Sequence, residues 1–478
     1  MILKNLLPIL FILLLQEGMG QPVVLQGNAE QFAGEYLLIR EIVNPITGDS
    51  KVIDTLTIEN NGQFRKEISV SGAGWIFMNS GVYRIHMYVQ SGFAYEILLP
   101  PKTTKSESDI RNPFFTPSIA HMLVLKEYPL ANPEAELMGN DINTKILNFD
   151  RQVIAANNVL KDSRRNNIST DSDSLIRSIE VNYKNDTSGF FNNYRKYRYG
   201  IIKINSRDVG LEYLYENHLR SDVPQTGNPA YMELFNEMYE EFLFFYSRTT
   251  EGKSVNTLVN RSHNLTALKD TLMKHPSVPD EQLAELIIIK EIFDIYFKDY
   301  FYKEALLILL DSVIVDPVTE SHAQYAMGVK NYLTRLKTGQ NPPAFELLDR
   351  KNSLKTIDDF KGKYVYLNFC TPDNYSCLKE FPFLKTLHEV HGKYLEIVTV
   401  MVTEKQENMS DFMDKNKYNW TALFYGNKEK LLEDYDVRMF PTNYLLDPDG
   451  IIIQSPATLA TEGFEQQLFR IMRSRGDL

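Results

Sequence analysis

Cysteine and tryptophan are nearly absent, with two of each in 478 residues. Two cysteines exclude both a multi-bridge disulfide framework and a cysteine-rich zinc site. A basic surplus is missing as well. Lys and Arg number 51 against 62 Asp and Glu, a net charge of −11, and a nucleic-acid binder is expected to carry the opposite sign. The eight histidines are scattered. No His-Glu-x-x-His or Cys/His ligand spacing occurs, nor a Gly-x-x-x-x-Gly-Lys-Ser/Thr phosphate loop, nor a Gly-x-Ser-x-Gly elbow. No metal and no cofactor are expected. Beyond the first twenty residues there is no long apolar run, so no later helix is expected to span a bilayer. No fixed repeat period is found. What is present is an ordinary globular composition, 43% hydrophobic and 24% charged, rich in Tyr and Phe at 27 each. At roughly 150 residues per domain the length predicts about three domains.

Residues 1–20 have the layout of a secretory signal peptide. Lys4 supplies a positive start, residues 6–15 form an apolar run interrupted only by Pro8, and Gly18 and Gly20 are the small residues a signal peptidase requires. The run is shorter than the ~20 residues of a membrane span, and no cysteine follows it to take a lipid anchor. The expectation is an exported protein of the periplasm or cell envelope. It would have no stable membrane span after cleavage and would sit where disulfides persist.

Three regions follow. Residues 21–117 read as a β-sandwich. Leu56 and Ile58 alternate with Thr55, Thr57 and Glu59, then Asn60-Asn61-Gly62 supplies a turn before Phe64 and Ile68, which together signal a hairpin. Ile85, Met87 and Val89 alternate with Arg84, His86 and Tyr88. Pro100-Pro101 and the polar stretch up to Asp109 read as a linker. Residues 118–338 read as all-helical. Ser277, three residues before Asp280, fits a capping box with Pro279 in the first turn, and Leu283, Leu286, Ile287 and Phe293 recur at helical spacing. The Tyr/Arg/Lys mixture at residues 194–199 is expected at the surface and core edge, and His388 and His391 at a solvated helix end. Residues 339–478 alternate strand and helix, with strands at 364–369, 397–402, 442–446 and 451–453 and helices at 377–391 and 461–475, the pattern of an α/β domain.

Four segments of this last region, in order and at matching spacing, carry a resemblance. They are Pro342-Pro343-Ala344-Phe345-Glu346-Leu347, Lys361-Gly362-Lys363-Tyr364-Val365-Tyr366-Leu367-Asn368-Phe369, Cys377-Leu378-Lys379-Glu380-Phe381-Pro382, and Tyr435-Asp436-Val437-Arg438-Met439-Phe440-Pro441-Thr442. Over residues 341–478 the chain resembles the thioredoxin superfamily, in its exported TlpA/ResA-type branch. The resemblance implies a multidomain chain with an N-terminal all-β sandwich, a central all-α region and a C-terminal thioredoxin-like α/β domain. It implies thiol–disulfide exchange in the bacterial envelope, with an envelope protein or peptide as partner. It also implies a cis-proline at Pro441, and a peptide-binding role for Pro441, Phe440 and Asn374.

One departure bears on the chemistry. The family pattern Trp-x-x-Trp-Cys-x-x-Cys is replaced, without a gap, by Cys370-Thr371-Pro372-Asp373-Asn374-Tyr375-Ser376-Cys377. Cys377 matches the second active-site Cys, Asn374 stands where the attacking Cys belongs, and Cys370 stands at a Trp position. Asn cannot attack a disulfide, but it is a good helix N-cap. Three residues into that helix, the dipole would stabilise a Cys377 thiolate by only ~0.3–1 kcal/mol. Two readings stay open. One is a binding or accessory protein without dithiol exchange, in which Cys377 is a small buried apolar residue. The other is a redox protein using Cys377, alone through a mixed disulfide or sulfenic acid, or paired with Cys370. Pairing needs Cα atoms about 4.4–6.8 Å apart, and so a loop 371–376 that folds back. A peroxiredoxin-like reading is disfavoured. The Pro expected seven residues before its Cys is Cys370, and its Arg would fall near Pro441.

Overall fold

Alternation of buried and exposed side chains fixes most of the strands in the computed structural model of the chain. It describes residues 21–477 apart from 71–72, 111, 113–114, 136–140, 187 and 427. The expected signal peptide, residues 1–20, lies outside the described residues. By mutual contacts the chain divides into two units, residues 21–103 with 117–330, and residues 104–116 with 331–477.

The first unit begins with β1 (Val23–Asn28), β2 (Tyr36–Ile42), β3 (Ser50–Thr57), β4 (Gln63–Ile68), β5 (Ala73–Ser80), β6 (Tyr83–Gln90), β7 (Phe93–Leu98), β8 (Ser118–His121) and β9 (Leu123–Pro129). They form a four-stranded sheet in the order β4-β1-β7-β9 and a five-stranded sheet in the order β3-β2-β5-β6-β8. Both sheets contribute to one core, which includes Leu25, Ile39, Ile85, Met87, Tyr95 and Ile97.

Three sequence expectations are corrected here. The Asn60-Asn61-Gly62 turn does not close a hairpin. β3 pairs with β2 and β4 with β1, so the turn carries the chain from one sheet to the other. This arch lets Leu56 and Phe64, on either side of the turn, enter the same core. Gly62 is required there, because its φ is +83° and a Cβ would lie 2.5 Å from Asn28 Oδ1. Second, residues 118–129 were expected to begin the helical region but form β8 and β9. Val124, which alternates with exposed Leu123 and Leu125, fills the sandwich core. Third, the expected linker is partly structured. Residues 104–116 belong to the second unit, where Ile110 enters the core.

The central region is helical from Ile142–Arg165 to Glu320–Thr334. It is tied to the sandwich within the same unit. The Tyr88 N–H donates to Asn143 Oδ1 at 2.8 Å, and Asn143 Nδ2 donates back to the Tyr88 carbonyl at 3.0 Å. The aromatics supply the core. Tyr194, Tyr197 and Tyr199 are buried, not at the surface or core edge as expected, and Phe149 meets Phe191 and Tyr199 edge to face. The helix expected to be capped by Ser277 starts three residues later. Asp280 is the cap, accepting the Leu283 N–H at 2.9 Å, and the helix runs Glu281–Ile295. Among the described residues no helix is long and apolar enough to cross a membrane.

The second unit contains β10 (Glu346–Asp349), β11 (Leu354–Thr356), β12 (Tyr364–Cys370), β13 (Leu395–Met401), β14 (Thr421–Phe424), β15 (Thr442–Leu446) and β16 (Ile452–Gln454). The sheet order is β11-β10-β14-β13-β12-β15-β16. β12 is parallel to β13 and antiparallel to β15. Every residue of β12 is buried, because the sheet is covered on both faces. Val365, Leu367 and Phe369 enter the core that includes Leu431 and Tyr435. Tyr364, Tyr366 and Cys370 enter the other core, under the helices Tyr375–His391 and Phe464–Arg475. Burying each large side chain contributes about 1.5–3 kcal/mol. The alternation therefore holds the register firmly and delivers Cys370 to the helix-covered face.

Candidate functional site

β12 is a central strand, and the chain leaves its carboxyl end into the covering helix. In α/β sheets, sites gather at such ends. Cys370 is the last residue of β12. The chain then turns sharply, with the Asn374 N–H donating to the Thr371 carbonyl at 3.3 Å. Asn374 becomes the N-cap of helix Tyr375–His391, and its Oδ1 accepts the Cys377 N–H at 3.1 Å. The cap anticipated from the sequence is present, and Cys377 lies in the first turn.

Both cysteines are free and 0% exposed, in the same core. Burial pushes the Cys370 thiol well above its usual range. Hydrogen bonding to the Cys377 thiol and the charge that thiol would carry add to the rise, while a hydrogen bond from Asn368 opposes it. The two thiols therefore influence one another within one core. Neither presents a nucleophile at the surface.

The cis-proline anticipated from the sequence is also present, at Phe440–Pro441. The last paired residues of β12 and β15 are Phe369 and Thr442, so the next step along both strands sets Pro441 beside Cys370. Phe440 is half-buried and packs against both cores of the domain. Just before it, Met439 is 69% exposed, and Tyr375 at the helix start is 70% exposed. Asn374, Phe440 and Pro441 thus belong to the two loops at one end of the sheet.

Residues not singled out from the sequence complete the site. Asn368 and Asn443 are cross-strand partners, both buried, and Asn368 Nδ2 donates to Asn443 Oδ1. Asn368 Oδ1, Asn443 Nδ2 and Thr371 Oγ1 have no protein partner. The signal was visible in retrospect, since Asn368 is the one carboxamide in an otherwise apolar strand. Glu380 is buried one helical turn after Cys377. Its carboxylate accepts the Ala460 N–H at 2.6 Å, the Thr461 N–H at 3.3 Å and the Thr461 hydroxyl. At the opposite end of this helix, away from the site, His391, expected at a solvated helix end, is buried. It contacts Glu465 through Nε2 and Tyr394 through Nδ1, against the edge of Phe469.

A central β-sheet with covering helices on both faces, a cis-proline beside the end of a core strand and a helix starting at that same end define a thioredoxin-like domain. The AhpC/TSA family model matches residues 338–455. The thioredoxin-like protein YneN of Bacillus subtilis (strain 168) is 31% identical over 137 residues, 28% of this chain and 79% of that protein. The thiol-disulfide oxidoreductase ResA of the same organism is 28% identical over 143 residues, 29% of this chain and 77% of that protein. The solved thioredoxin domain of a thiol-disulfide oxidoreductase from Bacteroides vulgatus is 28% identical, covering 28% of this chain and 98% of that one, with a TM-score of 0.26. Through its C-terminal domain the chain belongs to the thioredoxin-like family of ResA-type thiol-disulfide oxidoreductases.

Proposed function

We propose that this chain is an exported, thioredoxin-like binding or accessory protein whose domain has lost surface dithiol exchange. The observation that carries the reading is the capping carboxamide of Asn374. It stands where the family's attacking thiol belongs, while the remaining cysteines have no exposure. Exchange requires a thiolate to reach a partner's disulfide sulfur, and a buried thiol cannot. What the loops retain is a docking shape. The cis-Phe440–Pro441 segment and the exposed Tyr375 and Met439 would engage an extended peptide or envelope protein through backbone groups and apolar contacts.

The test is reduction of insulin disulfides by the full chain with dithiothreitol as electron source. The wild type is expected to match the uncatalysed rate. Asn374→Cys, which restores the Cys-x-x-Cys spacing, is expected to acquire catalysis. Wild-type catalysis that disappears in Cys377→Ser would overturn the reading. A second reading, redox chemistry through Cys377 with Cys370, is favoured by the burial of the two thiols in one core.

A further inference from the structure

The loop between the two cysteines is short and folded back. The Asn374 N–H closes a turn onto the Thr371 carbonyl at 3.3 Å, and the Cys377 N–H closes a second onto Asn374 Oδ1 at 3.1 Å. Strand alternation sends Cys370 to the helix-covered face, and the first helical turn sends Cys377 into the same core. The sequence contains no third cysteine to compete. We propose that Cys370 and Cys377 form an intramolecular disulfide, an interior staple joining the end of β12 to the first turn of helix Tyr375–His391. It alters the domain's own stability and does not pass electrons to a protein substrate. The inference concerns interior thiols, so it stands apart from the docking role of the surface loops.

The chemistry balances with a small disulfide as oxidant. One cysteine thiolate attacks glutathione disulfide, forming a mixed disulfide and releasing one glutathione thiolate. The second cysteine attacks the protein sulfur of that mixed disulfide and releases the second glutathione. Two protein thiols lose two electrons and two protons, and one glutathione disulfide becomes two thiols. Attack needs a thiolate, and burial disfavours ionisation of Cys370. The bond is therefore made while the loop is open during folding, and in the folded domain it resists reductant.

The experiment refolds the reduced full chain in glutathione buffers of increasing oxidised fraction. Denaturation in alkylating reagent, intact mass and peptide mapping follow. The expected product is a monomer two hydrogens lighter, with neither thiol alkylated and a peptide cross-linked between Cys370 and Cys377. Cys370→Ser and Cys377→Ser should each leave one thiol, free or carrying glutathione. Two alkylated thiols at every buffer composition, or thiol loss only in covalent dimers, would overturn the proposal. Protein produced directly in an oxidising compartment gives the same readout without refolding. Absence of both the bond and insulin reduction would overturn this proposal and leave the docking reading standing, whereas insulin reduction by the wild type would overturn the docking reading and the staple's inertness toward protein substrates.

Discussion

The Asn374 side chain accepts the Cys377 backbone N–H at 3.1 Å. Asn374 thus anchors the helix that carries Cys377. Its chemistry is that of a cap, an acceptor for one of the N–H groups that a helix start leaves unpaired. Asn374→Ala is therefore expected to destabilise the C-terminal domain by about 1 kcal/mol, and Asn374→Asp to leave it nearly unchanged. Urea unfolding followed by circular dichroism measures both.

Glu380 supports the site from within. Removing its carboxylate strands the Ala460 and Thr461 N–H groups in the interior. Each stranded group costs about 1–3 kcal/mol. Glu380→Ala is expected to lower the urea midpoint strongly. Glu380→Gln should lower it less, because one carboxamide oxygen still accepts. Equal midpoints for the two variants would contradict this account of the carboxylate.

Oxidation has its own stability signature. Closing an eight-residue loop removes unfolded-chain entropy worth about 2.5 kcal/mol. The oxidised wild type should unfold at higher urea than the reduced wild type. The gap should vanish in Cys370→Ser.

A pH dependence is expected from Glu127 in the first unit. Burial raises its pKa to about 7, aided by Asp141 and opposed by the Ile142 N–H and Lys145. Its Oε2 has no protein partner. The folded state therefore holds a proton that the unfolded chain releases. That stabilisation is complete below the ordinary carboxylate range and is lost as pH rises through about 7. Glu291, likewise raised to about 7 by burial, acts in the same direction. His86, lowered to about 4 by burial, acts in the opposite direction. Comparing wild type with Glu127→Gln cancels the contributions of Glu291 and His86. The variant's advantage in urea midpoint should widen from about pH 5 to about pH 8. A constant difference across that range would contradict the raised pKa.

The arch between the two sheets depends on Gly62. An added Cβ would meet Asn28 Oδ1 at 2.5 Å and Glu30 Cα at 2.9 Å, in a backbone with φ of +83°. Gly62→Ala is expected to cost about 1–3 kcal/mol, read as a lower thermal midpoint of the full chain.

What the sequence determined by itself is local. The strand Tyr364–Cys370, the Asn374 cap and the Pro441 segment each rest on residues within a turn or two of one another, where alternation, side-chain acceptors and a proline ring act directly. The pairing of β4 with β1, the docking of Ile110 into the C-terminal core and the shared burial of Cys370 and Cys377 were not legible. Each joins segments whose separation or intervening geometry no local propensity encodes. The Asn-Asn-Gly segment is a turn but closes no hairpin, because turn chemistry bends the chain without choosing the sheet it enters. That choice belongs to the tertiary structure, where burial of Leu56 and Phe64 in one core outweighs pairing between the strands that carry them. The same holds at the site. The sequence places Asn374 three residues before Cys377, and only packing on both faces of β12 decided that the two thiols lie inside, in one core.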